Sequence, residues 1–310
     1  MLLFISNTLT IYAQNIEMFF LFRSLCAISH GIFWAIVTDF AMKIVHEKHR
    51  AMTSSIVFSS IPLATVMGIP TLNYIGQRTR WDTAFLLISI LIAICLIFIF
   101  ICLPKNHHSQ IPLTNTPLSH SRKKWSWLLI GITAMIATAQ SCAYTYIEPY
   151  IRSLAFFSQQ NLTLLLIIYG LSGLIGNVIT MRFMPHHIKN LTRVFLVLFS
   201  ITMLSLYILA TQISFYSFAL LLFFWGVSAS ILFTTVQTWV ILITQQYSST
   251  MAAFNSAILN YAIALGATFS AWLVSNIGLT SIFIASASIL LVAIVQLQFM
   301  IVKNEDNRSL

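Results

Sequence analysis

An all-α, polytopic membrane fold is predicted by three properties of this 310-residue chain. Hydrophobic residues make up 58% of it and charged residues only 7%, against about 25% charge in soluble globular domains, and the mean hydropathy is +0.89. Apolar runs of about 20 residues recur, the length a helix needs to cross a bilayer. The period-2 alternation of a membrane barrel is absent, which leaves helices as the spanning element. The formal charge of +9 is dispersed over short loops, with no basic tract longer than Arg122-Lys123-Lys124. That dispersion argues against nucleic acid as a partner and points to topology.

In order, the apolar runs predict about ten spans: 2–14, 18–42, 51–73, 83–103, 125–146, 160–181, 192–211, 213–240, 250–273 and 279–302. Short polar hinges such as "HEKHR", "QRTR", "MPHHIKN" and "TQQYSS" separate them. One connection is longer, "PKNHHSQIPLTNTPLSHSRKK" over 104–124. Its three prolines and many Ser, Asn and His residues read as a flexible linker. The chain therefore divides into a four-helix bundle over 1–103, the linker over 104–124 and a six-helix bundle over 125–310.

Orientation follows from Lys and Arg. With the linker cytoplasmic, the inner loops hold Lys43, Lys48, Arg50, Lys105, Arg122, Lys123, Lys124, Arg182, Lys189, Arg193, Lys303 and Arg308. The outer loops hold Arg78, Arg80 and Arg152, and the one remaining basic residue, Arg23, lies inside a span. Twelve against three fits the positive-inside rule and supports the span count, because one helix more or fewer would scramble the pattern.

Arg23 opens the first polar constellation. It lies roughly 8 Å inside the outer end of its span at 1.5 Å per residue, and His30, seven residues on, shares its face. Phe33 and Trp34 follow His30 at i+3 and i+4. An arginine at the centre of a membrane helix costs about 2.5–3.5 kcal/mol on insertion scales, so it needs a polar cavity or a partner; the alternative is a side chain that snorkels to the headgroups. A second constellation lies in "AQSCAYTYIEPY", where Gln140, Tyr144 and Glu148 recur at i, i+4 and i+8, one stripe of amide, phenol and carboxylate if the helix is continuous. It suits a hydroxyl-rich or amine-bearing solute, with Glu148 able to take a proton; equally, Tyr144, Tyr146 and Tyr150 fit an interfacial aromatic belt with Glu148 at its rim. Asn260, in mid-span, is a further pore candidate, with Trp225, Gln237 and Trp239 as possible lining of the same cavity. Gly170, Gly173, Gly176 and Asn177 read as a face for close helix packing.

Other chemistries find little support. Cys26, Cys95, Cys102 and Cys142 fall in or at the ends of apolar runs without metal-ligand spacing. Seven of the eight histidines lie in loops, leaving only His30 at membrane depth, which disfavours a haem protein. No H-E-x-x-H, G-x-S-x-G or paired intramembrane carboxylates mark a hydrolase or transferase. No enzyme activity, cofactor or metal is expected.

The blocks "LFRSLCAISHGIFWAI", "LATVMGIPTLNYIGQ", "YTYIEPY" and "FNSAILNYAIALGA" resemble helices of the sugar efflux transporters, in the twelve-helix drug and proton antiporter branch of the major facilitator superfamily. The resemblance runs along nearly the whole chain and starts at what would be the family's third helix. It implies that Arg23 matches a fourth-helix arginine implicated in proton coupling, and that Gly68 and Pro70 match the fifth-helix antiporter motif, which shapes the interface between the halves. With four spans before the linker and six after it, two helices are expected to precede Met1 in a twelve-helix protein. The function it implies is proton-coupled efflux of sugars or related small solutes by alternating access, in a monomer of the bacterial inner membrane. Alternatives are a multidrug or nucleoside exporter of the same fold, or a truncated chain that transports nothing. Candidate solute-binding or coupling residues are Arg23, His30, Trp34, Gln140, Tyr144, Glu148 and Asn260.

Overall fold

The computed structural model describes residues 1–102, 120–209, 212–244 and 248–306. Helix α1 (Leu2–Ile11) is followed by α2 (Ile16–Ile44), α3 (Arg50–Leu63), a π-helical turn (Ala64–Gly68), α4 (Ile69–Arg78) and α5 (Trp81–Cys102). Then come α6 (His120–Tyr144), the short α7 (Ile147–Arg152), α8 (Gln159–Ile208), α9 (Phe215–Thr244), α10 (Ser248–Asn276) and α11 (Ser281–Asp306). Among the described residues, eight helical segments are long and apolar enough to cross a membrane, and Leu2–Ile11 and Met52–Ile61 are shorter apolar helices. Together these occupy the ten runs read from hydropathy.

The "MPHHIKN" hinge separates two apolar helical segments, Gln159–Met184 and His186–Ile208, which share the label α8: His187, at φ −134° and ψ 29°, is not helical. The adjacent Pro185 has no N–H to give the preceding turn, which suits a break in the helix there. Two details differ from the sequence reading. The third run is broken into α3 and α4 by the π turn Ala64–Gly68, just ahead of Pro70. Pro70 cannot donate the i→i−4 hydrogen bond, and the wider turn accommodates that missing donor. Finally, residues 120–124, assigned above to the linker, form the first turn of α6; 104–119 lie outside the described residues.

Packing groups the chain into two compact units, Met1–Trp34 with Met67–Pro117, and Ala35–Val66 with Leu118–Leu310. In the second of these, α3 packs on α8 and α9. The chain passes between the units at Trp34–Ala35 and again within the π turn.

In the first unit α1 and α5 meet through a polar seam. The Asn7 amide donates to Ser89 Oγ at 2.9 Å and to Phe85 O at 3.0 Å, and Thr8 Oγ1 reaches Ser89 Oγ at 3.2 Å. Small hydroxyls and amides of this kind hold helices together where lipid provides no hydrophobic drive. Phe19, Trp81 and Phe85 stack edge to face beside the seam, with centroids 5.9–6.2 Å apart.

The second unit is built on close helix contact. A Cβ on Gly176 would stand 2.7 Å from Val227 O, and one on Gly226 would overlap Ser172 Oγ and stand 2.5 Å from Tyr169 O. Both glycines therefore let α8 and α9 approach backbone to backbone. Gly266 does the same for α10 against α6, beside Thr138 O and Ser141. Across these contacts Ser141 Oγ donates to Ile263 O at 2.7 Å, Ser286 Oγ to Ala139 O at 2.8 Å, and Thr234 Oγ1 to Asn177 Oδ1 at 2.9 Å. The Gly170–Asn177 face thus packs as read from sequence. Ser54 of α3 bonds Thr238 of α9, and Met42, Ile241 and Ala252 form a small buried cluster. Gly278, at φ +124°, makes the tight exit from α10 that a residue with a Cβ would resist, its N–H closing on Leu273 O at 3.1 Å.

Candidate functional site

Gln140, on α6, lies at the centre of a polar and aromatic cluster. Its Nε2 donates to the Tyr169 hydroxyl at 2.6 Å, and its Oε1 accepts from Trp225 Nε1 at 2.6 Å. Tyr169 comes from α8 and Trp225 from α9, so one amide joins three helices. Trp225 is fully buried. Its indole N–H must find an acceptor there or lose its hydration uncompensated. Tyr144, one turn after Gln140, lays its ring 5.0 Å from Tyr169 at a 32° tilt and 6.3 Å from Trp225, edge on. Tyr169 and Trp225 are 5.7 Å apart, and Phe199 and Phe283 close the far side of Trp225 at 6.4 and 6.5 Å. Tyr144 itself is half-buried, and no hydrogen bond among the described residues engages its hydroxyl.

The first two members of the expected stripe are therefore together, and the third is not. Helix α6 ends at Tyr144 and α7 starts at Ile147, so Glu148 does not continue the Gln140–Tyr144 register. It is exposed and ion-paired with Arg152, whose Nη2 and Nε reach Glu148 Oε1 at 2.7 and 3.0 Å. The Arg152 guanidinium also covers the Phe157 ring at 5.3 Å. Pro149 does not end a helix here; it occupies the first turn of α7, where an N–H would have no intrahelical acceptor.

Asn260 is half-buried and donates to Ser256 O of its own helix at 2.8 Å. Gln237 is buried and accepts from Asn255, not from Asn260, and the Asn255 Oδ1 has no hydrogen-bond partner. Trp239 is buried in the core of the second unit.

On α2, Arg23 places its guanidinium over the Phe85 ring at 5.5 Å, with Nη1 3.9 Å from Cys26 Sγ. His30 is exposed and its Nε2 accepts from Trp34 Nε1 at 2.9 Å. The face that carries Arg23, His30 and Trp34 is thus assembled as its spacing requires. At Gly68 a Cβ would meet nothing within 4 Å, so no close approach depends on this glycine in the conformation seen. No group of three or more metal-binding side chains occurs among the described residues.

The sequence reading missed Tyr169. A tyrosine in the middle of the apolar stretch "LLLIIYGLSG" is the signal that marks it, since a phenol at that depth needs a partner. Trp225 was noted only as possible lining near Asn260.

A family model described as Major Facilitator Superfamily matches residues 1–259. The chain belongs to that superfamily. Among solved structures, the human organic anion transporter MFSD10 (TETRAN) matches with a TM-score of 0.81 at 15% identity, covering 95% of this chain and 74% of its own. The Major Facilitator Superfamily transporter FucP, solved in the outward conformation, matches with a TM-score of 0.65 at 12% identity, covering 96% and 80%. At such identities the likeness is one of fold. Membership makes the chain a multi-pass secondary transporter of small-molecule solutes and not an enzyme, in keeping with the apolar helices among its described residues.

Proposed function

We propose that this transporter exports sugars or related small solutes in exchange for protons, by alternating access, as a monomer in a bacterial inner membrane. The observation that carries the solute class is the Gln140–Tyr144–Tyr169–Trp225 cluster. The amide oxygen is committed to Trp225 and the amide nitrogen to Tyr169, so Gln140 holds the two rings in place. Tyr144 supplies the open hydroxyl beside ring faces 5.0–6.3 Å away. A sugar ring has C–H faces that stack on aromatic rings and a rim of hydroxyls that bond a phenol, and the cluster offers both.

The remaining candidates take separate parts. Arg23 and His30 serve proton coupling from α2. Asn260 lies on α10, in the same unit as the cluster, and supplies a further amide. Glu148 with Arg152 forms an ion pair along α7, where its opening or closing accompanies access to the site. Gly68 closes the π turn and Pro70 follows it in the first turn of α4.

A multidrug or nucleoside exporter is the second reading, favoured by the same observation: three aromatic side chains around one amide also suit a flat aromatic solute. Solute titration monitored by tryptophan fluorescence separates the two. Sugars are expected to perturb the emission and Tyr144→Phe to weaken the effect roughly 5-fold, the value of about 1 kcal/mol for one hydrogen bond. A response to nucleosides and none to sugars contradicts the sugar reading. Equal sugar affinity in Tyr144→Phe removes the hydroxyl from the site.

A further inference from the structure

We propose that His30 and Trp34 form a proton-operated latch on one face of α2. The inference deepens the proton-coupled reading above and names the groups that respond to the proton. Trp34 stands one helical turn after His30 on α2, its Nε1 2.9 Å from His30 Nε2 and the two rings edge to face at 6.2 Å and 72°. An indole nitrogen can only donate, so Nε2 presents its lone pair and the imidazole is neutral with its hydrogen on Nδ1.

A proton arriving at Nε2 uses that lone pair. No covalent bond breaks, but the acceptor becomes a donor, two N–H groups face each other, and the Trp34 indole must turn away. Loss of the proton restores the acceptor and draws the indole back. His30 is exposed on the helix surface, so packing does not block the proton's approach.

The charged neighbourhood is sparse. Arg23, on the same face of α2, is within electrostatic range of His30. Helix α1, "LLFISNTLTI", has no ionisable side chain. On α5 the ionisable groups are Asp82, held by Arg80 at 3.2 Å, and the thiols Cys95 and Cys102. The surroundings give the latch its effect, because a turn of the indole changes what Trp34 packs against on α2. Phe33, packed edge to face on Trp34 at 5.8 Å and 79°, moves with it or gives way.

The test needs neither solute nor gradient. The full chain is labelled with 15N-tryptophan in lipid nanodiscs, the Trp34 indole resonance is assigned by its loss in Trp34→Phe, and it is followed across about pH 5 to 8, the range in which histidine titrates. We expect the resonance to move through one titration step in the wild type and to stay fixed in His30→Gln and His30→Asn. A static wild-type resonance, or an unchanged titration in those variants, overturns the latch; the wild-type titration decides by itself if neither variant folds. Solute flux reads the transport proposal separately, so a chain that titrates without transporting retains the latch and loses the transport reading.

Discussion

The Gln140 amide ties α6 to α8 and α9 through two bonds of 2.6 Å, and its removal has a calculable consequence. Gln140→Leu leaves the indole N–H of the fully buried Trp225 and the Tyr169 hydroxyl without this partner. An orphaned buried donor costs about 1–3 kcal/mol. We expect that loss in thermal unfolding, together with weakened solute binding, since the rings are no longer held. Unchanged stability would mean that Trp225 finds another acceptor. At this scale the sequence revealed neighbours on one helix and little else. Gln140 and Tyr144 are four apart, so their shared face follows from helix geometry alone, as does that of His30 and Trp34. Tyr169 and Trp225 reach Gln140 only through the packing of three helices, which no spacing encodes. Glu148 was misplaced because its stripe assumed an unbroken helix, while the backbone changes course at residues 145–146.

Elements differ in how tightly they meet, and two glycines define the extremes. Gly226→Ala drives a Cβ into Ser172 and the Tyr169 carbonyl oxygen; part of that clash is with backbone and cannot be relieved by a rotamer. Overpacking of this kind costs about 1–3 kcal/mol or more. Gly68 has open space around it and an ordinary helical backbone, φ −70° and ψ −52°. Gly68→Ala is therefore expected to preserve stability or to raise it by up to about 1 kcal/mol through helix propensity. Parallel melting curves in detergent check the pair, and equal losses for both would contradict the packing described for α8 and α9. The positions of the helices were legible because hydropathy reports burial in lipid. Hydropathy says nothing of hydrogen-bond register, so the π turn at Ala64–Gly68 was not.

The whole molecule is a membrane helical protein of the Major Facilitator Superfamily, and among the described residues the chain passes from one compact unit to the other at Trp34–Ala35 and within the π turn. Composition was sufficient for a membrane protein, because 7% charge leaves too few polar groups to cover a soluble globule, and the length of the apolar runs added that the spans are helices. Which helices pack together was not legible: α3 joins α8 and α9 through contacts distant in sequence, such as that of Ser54 with Thr238. The central claim is coupling of solute export to proton entry. It is tested most directly by reconstituting the chain in liposomes loaded with a sugar panel, acidifying the outside and following sugar efflux with and without a protonophore. The account predicts that the acidic exterior accelerates efflux and that the protonophore abolishes the acceleration. Efflux no faster than from protein-free liposomes, or equally fast with the gradient collapsed, would contradict it.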